Sequence, residues 1–209
     1  MEAHSTRGPY LEPEPVTWQP RVMWASGRLL AGAITFFFIS FVFAYFYLRS
    51  LDLNHNWKIG HHVNPSIGLG IGITAALVLS AALLWVGARR PLESGPLGIC
   101  ALLLGLLAVV LQVIEWTTLK FGPASGGYAS VFIGWTAFYA VFVLPCLYWI
   151  ETQVASIWRR RREGEAWAAR EGVPAGELEL MAAGLESCSF FWAYYVFIAV
   201  VTFVILYLL

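Results

Sequence analysis

Five stretches of this chain run without a single Asp, Glu, Lys, Arg or His: 29–48, 67–88, 96–114, 128–150 and 187–209. That pattern leaves few folds open. A helix needs about 20 apolar residues to cross a bilayer core about 30 Å thick. Inside that core every backbone N–H and C=O must be paired within the segment, which a helix achieves by itself. Each stretch is therefore predicted to be a transmembrane helix, and the chain an all-α polytopic membrane protein with five spans. Composition agrees: 59% of the 209 residues are hydrophobic and 12% charged, against about 25% charged in an ordinary globular chain. The net charge of +0 provides no basic field to attract nucleic acid or an acidic partner.

The charges stand between the runs. Arg28 and Arg49 bound the first, Arg89 and Arg90 stop the second, Glu115, Trp116 and Lys120 close the third, and Glu151 closes the fourth. Residues 1–28 form a polar arm with four prolines and no apolar run, which argues against a cleavable signal peptide. The loop 151–186 continues the fourth helix as far as about Arg170, breaks at Pro174 and Gly176, and re-forms helix over 178–186 before the last span. A solvated helical hairpin on the cytoplasmic side is expected there. Ten basic residues fall on the side of the arm: Arg7, Arg21, Arg28, Arg89, Arg90, Arg159 to Arg162 and Arg170. Three fall on the other: Arg49, Lys58 and Lys120. This bias predicts a cytoplasmic N-terminus and, after five crossings, an outer C-terminus. Trp57, Trp116, Trp149 and Trp158 near span ends suit interfacial belts, whereas Trp135 and Trp192 lie deeper.

Membrane helices associate where small residues let their backbones approach. In the second span Gly68, Gly72, Ala76 and Ser80 recur every four residues, and the third carries Ala101 and Gly105. These are the predicted packing positions, and Gly72→Leu is expected to weaken assembly. The first span is covered on most of its circumference by Phe36, Phe37, Phe38, Phe41, Phe43, Tyr45, Phe46 and Tyr47.

Chemistry-bearing groups are few. Gln112 and Glu115 share one face of the third helix near its outer end, where the expectation is structural anchoring and a glutamate within reach of water. His55, His61 and His62 stand with Asp52 in the first outer loop, at a spacing that matches no familiar metal site. Cys100, Cys146 and Cys188 lie far apart in apolar runs, as small core residues. No nucleophile elbow, phosphate loop or catalytic carboxylate pair is present. The residues alone favour a structural or accessory membrane bundle.

Several motifs resemble those of subunit III of the haem–copper terminal oxidases. The third span ends Gln112-Val113-Ile114-Glu115-Trp116, similar to that family's Q-x-x-E-W/Y. A short loop with Gly122, Gly126 and Gly127 leads to Tyr128-Ala129-Ser130-Val131-Phe132, similar to Y-G-S-x-F, and Thr136-Ala137-Phe138 follows where the family has T-G-F. Phe191-Trp192 takes the place of Y/F-W, Tyr207-Leu208 stand near the end, and Phe43-Ala44-Tyr45 to Arg49 is similar to the first span of the five-helix form. The resemblance covers about residues 22–209. The chain departs from the family where Tyr139 and Phe142 replace two histidines, where Ala193 and Val196 replace a histidine and an aspartate, and where no acidic residue occurs between Arg28 and Arg49.

The resemblance implies a non-catalytic accessory subunit of a respiratory oxidase in the bacterial cytoplasmic membrane. Such a subunit stabilises catalytic subunit I, beside subunit II, and encloses phospholipid. Haem and copper would belong to the partner, with none bound by this chain. Gln112, Glu115, Tyr128, Ser130, Thr136 and Trp192 are the motif positions carried over. A subunit of a quinol oxidase, a nitric oxide reductase or a larger supercomplex remains an alternative, as does a small transporter using Glu115.

Overall fold

The computed structural model describes residues 18–53, 57–58, 64–90, 94–162 and 175–209. Within them the chain is a bundle of five long helices with no strand: α1 (Gln19–Ser50), α2 (Ile67–Ala88), α3 (Gly95–Thr118), α4 (Gly127–Arg162) and α5 (Ala175–Phe203). Each is long and apolar enough to cross a membrane. A short 3₁₀ turn (Pro123–Ser125) links α3 to α4, and a π-helical turn (Val204–Leu208) follows α5. His55, His61, His62, residues 1–17 and the loop 163–174 lie outside the described residues.

Local chemistry explains why the helices outrun the apolar stretches. α1 begins at Gln19, inside the polar arm and about ten residues before the first apolar stretch, because Pro20 occupies its first turn, where the missing N–H costs nothing. Ser66 caps α2, its hydroxyl accepting from Leu69 N–H. α4 runs past Glu151 to Arg162, and α5 already includes Gly176. Gly126 turns the chain into α4 with a φ of 135°, a conformation side-chain-bearing residues avoid.

The helices share one packing rule. On α3 the buried residues are Gly95, Gly98, Ala101, Gly105, Ala108, Gln112 and Glu115, in steps of three and four. On α2 Gly70, Ile73, Leu77, Ser80, Leu84 and Gly87 repeat the same steps. On α1 Ala31, Ile34, Phe38 and Tyr45 do likewise. Steps of three and four keep one face of a helix turned towards its neighbour. A strict four-residue ladder instead drifts about 40° per step around a helix of 3.6 residues per turn. The predicted stripe on α2 is corrected accordingly. Ala76 and Ser80 are buried and Gly72 is half-buried, but Gly68 lies exposed with no other helix beside it. The missed position is Gly70, where a Cβ would stand 2.6 Å from the Tyr207 ring. Gly105, by contrast, is as tight as expected: a Cβ there would overlap Leu147 and meet Trp192.

The outward faces are apolar. Phe36, Phe43, Ile39 and Leu29 of α1 and Leu103, Leu107 and Val110 of α3 are largely exposed, surface that lipid covers at no cost. Cys146 and Cys188 are buried, while Cys100 faces outward with them.

Candidate functional site

The polar residues of the α3 seam lie at its C-terminal end. Glu115 is fully buried, 0% exposed. This overturns the expectation of a carboxylate reaching water, because α3 continues beyond it to Thr118 and aromatic residues close over it. Gln112 Nε2 donates to Glu115 Oε2 at 2.9 Å. Tyr207 Oη donates to the same oxygen at 2.6 Å, from 92 residues away in sequence. Glu115 Oε1 has no partner among the described residues. A carboxyl group with one oxygen doubly served and the other bare, inside a membrane bundle, is costly and calls for an explanation.

The π-helical turn is what delivers Tyr207. Leu209 N–H bonds back to Val204 C=O, five residues earlier, and Gly70 gives the Tyr207 ring room against α2. Widened turns of this kind often occur where a side chain must be re-aimed. The same turn offers its Leu206 carbonyl, one of the orphan acceptors at a helix end, to Tyr128 Oη at 2.5 Å.

An aromatic lid covers the carboxyl group. Phe132 packs edge-on against Tyr207 (5.5 Å) and stacks on Tyr128 (6.0 Å). Trp57 meets Tyr128 (6.1 Å) and Tyr45 (5.3 Å) edge-on. Lys58 Nζ lies 5.1 Å from the Tyr128 ring centroid, a cation–π distance. Tyr45 Oη and Trp57 Nε1 are buried without partners among the described residues. Burial, and secondarily the charge of Arg49, pushes the Lys58 ammonium below its ordinary range.

Beside Gln112 and Tyr207 is a cavity of about 30 Å³, lined also by Thr74, Thr136, Tyr139 and Thr202. A smaller one of about 10 Å³ shares Ile73, Leu77, Gln112 and Tyr139 with it. Thr202 Oγ1 is buried and has no partner among the described residues. Thr136 Oγ1 donates to Phe132 C=O at 2.8 Å and accepts from Trp116 Nε1 at 3.0 Å.

The other expected positions are structural. Ser130 is exposed, and its hydroxyl caps local carbonyls of Pro123 and Gly126. Trp192, deep in the bundle, donates to Ser80 Oγ at 3.0 Å, and Ser80 donates onward to Ala101 C=O at 2.6 Å. That chain ties α5, α2 and α3 together. Tyr139 and Tyr195 stack at 4.5 Å, and each hydroxyl donates to the other's backbone carbonyl. Tyr207, Gly70 and Thr202 were not singled out as a group from sequence. Only the three–four spacing that ends in Gln112 and Glu115 hinted that this face turns inward. No protein-family model matches the chain, and no curated protein matches it.

Proposed function

We propose that this chain is a non-catalytic accessory subunit of a respiratory haem–copper oxidase of the bacterial cytoplasmic membrane. It would stabilise the catalytic subunit, which carries the haems and copper, and hold phospholipid at their boundary. The observation that carries this reading is the convergence of the motif residues. Gln112 and Glu115, Trp116 and Thr136, Tyr128 and Tyr207 come from separate parts of the sequence and meet at one end of the bundle. Of the other motif positions, Ser130 caps local carbonyls and Trp192 bonds Ser80 deeper in the bundle.

The departures from the family pattern fit the same scaffold. Tyr139, which stands where the family has a histidine, is satisfied by its exchange of hydrogen bonds with Tyr195. Large apolar faces on α1 and α3 give a partner subunit or lipid a surface to cover. By the distribution of basic residues the N-terminus is cytoplasmic, which puts Glu115 towards the outer face.

The test is purification through a tag on this chain in mild detergent, with an optical spectrum and mass identification of what co-purifies. Reduced-haem bands together with a haem-bearing catalytic subunit are the expected result. A colourless chain purifying alone would overturn the reading. A second reading, a small transporter, is favoured by one observation: a buried glutamate beside a polar cavity. Under that reading, transport by the reconstituted chain would collapse in Glu115→Gln.

A further inference from the structure

The cavity beside Gln112 contains an unexplained hydroxyl. Thr202 is 7% exposed and lines the cavity, and its buried Oγ1 bonds to nothing among the described residues. One ordered water needs about 10–15 Å³ of such volume and two to four polar partners. The cavity's roughly 30 Å³ is room for about two waters. Around them stand Thr202, Gln112, Thr136 and Tyr207, more polar groups than an empty apolar void carries. Glu115 is one hydrogen bond behind this wall, reached through Tyr207 Oη at 2.6 Å and through Gln112 Nε2 at 2.9 Å.

We propose that this cavity binds water, and that the water passes a proton through the Tyr207 hydroxyl to Glu115, making the end of α3 a proton-exchange site inside the helix bundle. The step balances without any electron transfer. An excess proton carried by the cavity water joins Tyr207 Oη as the tyrosine's own proton crosses to Glu115 Oε2. The water loses one proton and the carboxylate becomes a carboxylic acid. Bulk water is the ultimate source. Gln112 cannot relay a proton in this way, since its amide only donates to Oε2; it holds the carboxyl group in position.

The surroundings leave the cavity as the favoured route. Towards the loops, Tyr128 of α4 lies within electrostatic reach of both Glu115 and Tyr45 of α1. Beyond Tyr128 stand Lys58 and, over Tyr45, Arg49. α2 contributes only the Thr74 hydroxyl to the cavity's polar lining, and α4 contributes Thr136 and Tyr139. Tyr128 and Tyr139 already donate to backbone carbonyls. Tyr207 and Gln112 both line the cavity and bond the carboxyl oxygen, and of the two the Tyr207 hydroxyl is the one that can accept a proton while donating its own. This inference stands whether or not the chain belongs to an oxidase.

Infrared difference spectroscopy of the full chain, with the partners it purifies with, tests the idea by a pH jump in H₂O and in D₂O. The expected result is a carboxyl band that is lost in Glu115→Gln, shifts in D₂O, and exchanges several-fold more slowly in Tyr207→Phe and in Thr202→Val. Should Glu115→Gln not fold, the band is assigned by its shift in Tyr207→Phe, which removes a hydrogen bond to the same oxygen. Exchange at the wild-type rate in both Tyr207→Phe and Thr202→Val would overturn the proposal. So would the absence of any pH-dependent band assignable to Glu115. A purely structural role for Tyr207 would lower the thermal midpoint without altering exchange.

Discussion

The two ends of α3 use the same face differently. Near its start the seam is glycine: Gly95 faces Trp158 and Gly98 faces Val154 so closely that a Cβ would stand 2.8 and 2.5 Å from them. Near its end the seam is Gln112 and Glu115, bounded by aromatic rings, two small cavities and several unpartnered polar atoms. Where backbones approach closely, helices gain dispersion contacts and leave no room for solvent. Where a large aromatic side chain such as Tyr207 must reach between helices, the fit is looser. The gaps that result are lined by whatever polar groups the seam supplies. The comparison separates the part of the bundle that holds it together from the part able to do chemistry.

The glycine end should be the more fragile. Gly105→Leu forces a side chain into Leu147, and overpacking costs about 1–3 kcal/mol or more. A large drop in thermal midpoint in detergent is expected, with little folded protein recovered. Gly72→Ala is the control. A Cβ there meets only Leu111 at 3.7 Å, ordinary contact, so the bundle should keep its midpoint. Equal losses in both would erase the distinction between tight and open glycines, and would return Gly72 to the role the four-residue spacing suggested.

Glu115→Ala comes next. It strips the acceptor from Tyr207 Oη and Gln112 Nε2 and enlarges the hollow, at about 1–3 kcal/mol for the buried donors left unsatisfied. Glu115→Gln should recover most of that. A Glu115→Ala variant as stable as the wild type would mean the polar end contributes nothing to the fold. Ser80→Ala is smaller. It breaks the chain from Trp192 to Ala101, and interhelical hydrogen bonds in membranes average about 0.6 kcal/mol. A modest fall in midpoint is expected, and an unchanged midpoint would mean the Trp192–Ser80–Ala101 chain does not hold the three helices together.

The smallest effect is at Lys58. Burial and Arg49 hold its native pKa below the ordinary 10.5, so the unfolded chain binds more protons between the two values. Stability therefore rises with pH as it passes through the lowered native value towards 10.5. Lys58→Gln should be slightly more stable than the wild type near neutral pH, an advantage that shrinks in alkali. A midpoint difference that stays constant with pH would assign the effect to packing over Tyr128 instead.

Particular residues show how much was legible. The five helices could be read because a run of about 20 uncharged apolar residues has no other stable state in a bilayer. Their ends were less legible. Pro20 and the charged residues from Glu151 to Arg162 extend helices beyond the apolar stretches, since helix propensity does not stop where hydrophobicity does. The packing register on α2 was misread by the eye for fours, though the three–four alternation on α3 was there to be found. Glu115 was visible as a candidate, but its burial was not, because the groups that bury it come from other helices.

Sequence by itself determined the number of helices, their apolar character and the small-residue positions available for close contact. Those properties depend on local composition and on the energetics of backbone in lipid. Only the tertiary structure decided which glycines are tight, that Tyr207 reaches Glu115, and that a polar cavity opens beside Thr202. Those depend on the rotation of each helix about its own axis and on one widened turn after α5. Such rotations are set by side chains that meet from different helices, as Tyr207 and Glu115 do across 92 residues, a relation no local pattern encodes.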